Sequence, residues 1–175
     1  MGGFAHPPNA DAVLWFAKDI YPRIRQKMEA AGQVPPEFIV VGSKVTDEIR
    51  ALQQPDNGII IKGFVSEEEL SELYATCRVV VVPLRYGAGV KGKVVEAIYN
   101  GAPIVTTSIG AEGIPQVEDV LLVEDEPEAF AETVTRLYQS PEAAGHSARR
   151  PRATSAPISA WMRHGRSLRT ILRDS

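Results

Sequence analysis

Two runs of consecutive apolar residues constrain this chain more than any other feature: Ile39-Val40-Val41 within EFIVVG, and the four valines Val79–Val82 of VVVVPL. A strand with one face in water alternates apolar and polar side chains. A strand that is apolar at every position is covered on both faces, which is the situation in parallel sheets sandwiched between helices. GIIIKG, PIVTT and VLLVED read as further strands. The segments between them carry helical periodicity. Val13, Phe16, Ile20 and Ile24 predict a long helix from Asn9 to Ala31, stopped by Gly32 and kinked at Pro22. A short helix is expected over Thr46–Gln54, and another after Ser66, which with Glu69 makes a capping box ahead of three early glutamates. A helix opening near Gly92 or Lys93 and one over Pro127–Gln139 complete the series. Strand and helix in alternation imply right-handed crossovers and a doubly wound α/β domain.

At 175 residues and 44% apolar content the chain suits one domain with a real core. Its net charge of −3 makes no case for nucleic acid or membrane surfaces, but the charge is unevenly placed. Residues 141–175 hold seven of the 19 basic groups, all arginine, and two of the 22 acidic ones. That stretch is rich in Arg, Ala, Ser and Pro and lacks periodicity to residue 160, so 1–140 is expected to be the domain and 141–175 an atypical tail. A docked helix over Trp161–Leu172 and an unstructured basic end are both open. A single cysteine, Cys77, excludes a disulfide framework and reads as a buried thiol in a reducing cytoplasm. No apolar run reaches the ~18 residues of a membrane span, and no signal peptide is visible. His146 and His164 lack ligand spacing, so no metal site is expected.

In a doubly wound sheet ligands bind at the carboxyl ends of the strands, where Gly42, Gly63, Arg85–Gly89 and Thr106–Gly110 fall. The stretch YGAGVKGKVVEA concentrates the chemistry there. Gly87, Gly89 and Gly92 let backbone N–H groups approach a ligand, and the following helix presents its N-terminus. Lys91 and Lys93 add positive charge; their alternation turns at most one of them inward. Glu96 falls in the first helical turn, with Val94, Val95 and Ile98 on the buried side. Phosphate suits such a place, although a first-turn glutamate also serves simply as a dipole partner. Neither a Walker loop nor a GxGxxG fingerprint is present.

The run PLRYGAGVKGKVVEAIYNGAPIVTTSIGAEGI resembles the donor-binding half of group 1 glycosyltransferases of the GT-B fold. GGFAHPPNADAVLWF and GFVSEEELSELYATCRVVVVPL, with the spacing between these blocks, are similar to the same domain. The likeness covers Gly2 to about Ser140. It implies a Rossmann-like sheet and a hexosyltransferase-type enzyme moving sugar from a UDP-, GDP- or ADP-linked donor with retention, without a further cofactor. By the resemblance Glu96 matches the second glutamate of the paired-glutamate motif and holds ribose hydroxyls; Ala88 stands where the first would be. Lys91 is then the diphosphate residue, within a donor-binding set of Gly89, Lys93 and Val94. Gly63, Phe64 and Val65 match the loop against the base, and core packing is the competing account of Phe64. His6 stands near the place of a phosphate-gripping pair; an exposed loop histidine is the favoured reading. Surface charge is the favoured reading of Glu112.

The resemblance also implies an acceptor domain preceding this one. The chain opens inside what would be the first strand, central in a 3-2-1-4-5-6 order. Unpaired backbone is therefore expected mid-sheet, with modest stability or a partner covering the gap. The expected partners are a nucleotide-sugar and an acceptor-domain polypeptide or a second copy. A truncated or frameshifted gene product fits the tail's composition, and no residue is nominated as catalytic. Two alternatives stay open: a non-enzymatic nucleotide-sugar-binding subunit, and a sugar-nucleotide epimerase-like enzyme, for which the ligand-side loops offer only Glu96, Glu112 and His6 as acid–base groups.

Overall fold

The computed structural model describes residues 3–89, 91–115, 121–139 and 167–171. One parallel sheet carries the fold. Its strands are β1 (Glu37–Val41), β2 (Ile59–Gly63), β3 (Val79–Val82), β4 (Ile104–Thr106), β5 (Leu122–Val123) and β6 (Ser167–Ile171), in the spatial order β2-β1-β6-β3-β4-β5. The consecutive apolar residues divide between the two faces as the strand pleat requires. Phe38, Val40, Val79, Val81 and Val105 face one apolar layer. Ile39, Val41, Val80, Val82 and Ile104 face the other.

Helices α1 (Pro7–Trp15), α2 (Tyr21–Ala30) and α7 (Pro127–Gln139) cover the first face. Phe16 packs on Phe38 at 4.5 Å between ring centroids, and Tyr21 lies 5.7 Å from Phe38. The expected single helix over Asn9–Ala31 is interrupted. Phe16–Ile20 widens into a π-turn, which places Pro22 at the opening of α2 where its missing N–H costs nothing. Helices α4 (Glu67–Thr76) and α5 (Gly92–Tyr99) cover the second face through Leu70, Leu73, Tyr74, Val94 and Ala97. The Ser66–Glu69 capping box forms in both directions, at 3.2 and 2.8 Å. Short helices α3 (Asp47–Arg50) and α6 (Ser108–Ala111) are capped by the Thr46 and Thr107 hydroxyls. Cys77 is buried, and no helix among the described residues is long and apolar enough to cross a membrane.

The tail departs from expectation. Ser167–Ile171 is not helical: it is strand β6, in the middle of the sheet, paired with β1 from Glu37↔Ser167 to Val41↔Ile171 and with β3 at Val79↔Leu168 and Val80↔Arg169. The slot anticipated as a gap is occupied by a segment placed outside the domain on composition. The helical reading rested on the spacing of Trp161, Leu168, Ile171 and Leu172. Two strands offering unpaired N–H and C=O groups to one five-residue segment outweigh so weak a period. Gln139, at the end of α7, bonds to Gln33 at 2.8 Å, four residues before β1 begins. The last described helix thus ends at the edge of the sheet where β6 starts.

Candidate functional site at the carboxyl edge of the sheet

All six strands run the same way, so the loops after β1, β2, β3 and β4 open on one edge. The turn Gly3–Ala5 is held there by Phe4 N donating to Ser43 O at 3.0 Å, and His6 then leads into α1. His6 is exposed. Asn9 is buried in the first turn of α1; its amide donates to Gly3 O at 3.0 Å and its carbonyl oxygen accepts from Lys93 Nζ. Arg85 pairs with Asp11 and lies 5.5 Å above the Trp15 ring.

The loop after β3 is the centre of the site. Gly87 and Gly89 have φ of 119° and 79°, a region closed to most side chains, and their carbonyls are thereby turned toward Lys91. Lys91 Nζ donates to Gly87 O at 3.1 Å and to Gly89 O at 2.5 Å, and pairs with Glu112 Oε2 at 3.3 Å. Its side chain is only 9% exposed, whereas that of Glu112 is 50% exposed. Lys91 is also the N-cap residue of α5, although its side chain makes no capping hydrogen bond there. Both lysines therefore reach protein partners: the first at the cap and the second in the opening turn of α5, not alternate positions on a strand.

Three further assignments change. Helix α5 begins at Gly92, which puts Glu96 in its second turn, beyond the reach of the dipole argument for a first-turn carboxylate. Val94 is fully buried in the second apolar layer and its N–H is bonded to Lys91 O at 3.0 Å, so its side chain stands apart from the edge. Phe64 is 79% exposed, which excludes core packing, while Val65 packs partly against the core. Among the described residues no group of His, Cys, Asp and Glu is arranged to hold a metal. Glu112 was read in the sequence as surface charge, and Asn9 was passed over there. The first carried only a charge in a glycine loop, and the second is visible as an asparagine placed to open a helix.

Burial raises the Glu96 carboxyl above its ordinary value of 4.5. Behind it, the buried Tyr74 hydroxyl has no hydrogen-bond partner among the described residues; burial first, then the Glu96 charge, pushes its pKa well up. The folded protein binds the Glu96 proton more readily than the unfolded chain does. Ionising Glu96 therefore subtracts stability as pH rises from 4.5 through the raised value, and protonation restores it on the way down. Glu96→Gln removes that dependence. In urea titrations at stepped pH, the variant's stability relative to the parent should rise across this window and level off above it. A difference independent of pH would mean that the carboxylate ionises as freely in the fold as outside it.

The architecture is the Rossmann-like, doubly wound half of a GT-B protein. Over residues 1–140 the chain matches the family of glycosyl transferases, group 1, and it belongs to that family. It is also similar to an uncharacterized 44.6 kDa protein in the cps region of Klebsiella pneumoniae, with 28% identity over 120 residues, or 65% of this chain and 29% of that relative. The chain spans less than a third of the length of the relative it matches.

Proposed function

We propose that this domain holds the nucleotide-sugar donor for a retaining glycosyl transfer, with Lys91 on the diphosphate, Glu96 on the ribose and the Phe64 loop at the base. The observation carrying this reading is the buried Lys91, the residue that opens α5, with its ammonium held against the carbonyls of Gly87 and Gly89. Fixed cationic charge at a helix N-terminus suits a phosphate and stabilises the negative charge that develops on a departing nucleoside diphosphate. A carboxylate in the second turn of the same helix accepts hydroxyl protons with two oxygens. Partial burial strengthens such bonds and disfavours the bare charge.

Calorimetric titration with uridine, guanosine and adenosine diphosphates tests this. At least one is expected to bind. Glu96→Gln should weaken it by about 1–3 kcal/mol, the range for a hydrogen bond to a charged group. Lys91→Met should weaken it by roughly tenfold or more. Equal affinities in parent and both variants would remove these residues from the site.

A further inference from the structure

We propose that the carboxylate of Glu112 occupies the place of a donor phosphate on Lys91, and that donor binding requires its displacement. The inference rests on the reading that Lys91 receives the diphosphate. An ammonium has three protons to donate. Those of Lys91 are all assigned, to Gly87 O, Gly89 O and Glu112 Oε2. A phosphate oxygen can be added only where one of these partners leaves.

The three are not equally free to do so. The two carbonyls belong to the backbone of the loop itself, so turning either away means rearranging main chain rather than a side chain. The carboxylate sits on a half-exposed side chain with several rotatable bonds at the end of α6, followed by Gly113 with φ of 76°. Its bond is the longest of the three at 3.3 Å. It also carries a charge that repels a phosphate. Glu112 is thus an internal anion standing where the ligand's anion goes: it keeps the buried ammonium compensated and competes with every diphosphate that enters.

The test measures the affinity of each nucleoside diphosphate, of the matching nucleoside and of inorganic pyrophosphate for the full chain, for Glu112→Gln, and for Glu112→Gln combined with Lys91→Met. Displacement predicts about two- to fivefold tighter binding of diphosphates by Glu112→Gln, the scale of one partly exposed ion pair. It predicts no change for the nucleoside, and no gain when Lys91→Met is also present. Unchanged or weaker diphosphate binding by Glu112→Gln, with Lys91→Met still weakening the parent, overturns the inference and leaves the donor site standing. Binding of no nucleotide by the parent overturns the donor site and the inference together. Thermal unfolding of Glu112→Gln within a few degrees of the parent excludes a folding defect, and Glu112→Ala provides a second variant for the same comparison.

Discussion

Arg169→Pro is expected to destabilise the protein far more than Arg169→Ala does. Arg169 is in register with Ile39 on one side and Val80 on the other, so it stands where β6 joins the two halves of the sheet. Proline has no N–H and is tolerated in sheets at edges and strand starts, not in the middle of an interior strand. One lost ladder bond and its stranded partner cost about 1–3 kcal/mol. The larger loss follows if β6 detaches, because β1 and β3 pair with each other nowhere in the described sheet and their fully covered apolar faces lose their alignment. A total above ~3 kcal/mol takes a large share of the 5–15 kcal/mol typical of a domain. Urea denaturation followed by near- and far-UV circular dichroism reads this. Matching midpoints for the proline and alanine variants would show that β6 contributes nothing to the sheet.

Gly110→Ala should destabilise the protein by about 2–4 kcal/mol, adding an overpacking cost to a lost hydrogen bond. A Cβ at Gly110 would overlap Thr106 Oγ1 and stand 3.1 Å from Val82 O. The Thr106 side chain cannot swing aside: it is fully buried, β-branched, and donates to Val82 O at 2.7 Å. At roughly 2–4 °C per kcal/mol for a chain of this size, melting should fall by about 4–16 °C. Thr106→Ala costs its own hydrogen bond but opens the space, so the double variant should be more stable than the sum of the two single losses by about 1 kcal/mol or more. Strict additivity would show that the contact between α6 and β4 is not what Gly110 serves. Because α6 carries Glu112 at its end, the same variant should also disturb the Lys91 pairing.

How much of this was legible follows from the length scale of each signal. Strands β1, β3 and β4 were readable because burial on both faces leaves continuous apolar runs, and α4 because its capping box is local chemistry. The loop at Gly87–Lys93 stood out in the sequence because glycines and lysines concentrate there, and in the fold it carries the Lys91 contacts. The position of β6 was not readable, since Ser167–Ile171 has no pattern that names its neighbours. Its place is set by what β1 and β3 lack, a property of distant residues. The Lys91–Glu112 pair was hidden for the same reason, as 21 residues and a strand separate two ordinary charges. The π-turn at Phe16–Ile20 was half visible: Pro22 announced a disturbance, but the periodicity did not say how the helix absorbs it.

The central position of β6 also sets a timetable for synthesis. β1 and β3 leave the ribosome long before the strand that joins them, with about 130 residues between Val41 and its partner Ile171. At roughly 5–20 residues per second, that interval is on the order of ten seconds. Once β3 has followed β1 out, the nascent chain offers two rows of unpaired N–H and C=O groups on its most apolar strands, the kind of edge that recruits other chains. Local helices and the β1–β2 and β3–β4 pairs can form at once, but the two halves become one sheet only when residues 167–171 arrive. A cell making this protein has to guard an open seam for that time, so its yield should respond more to chaperone supply and translation rate than the stability of the finished fold would indicate.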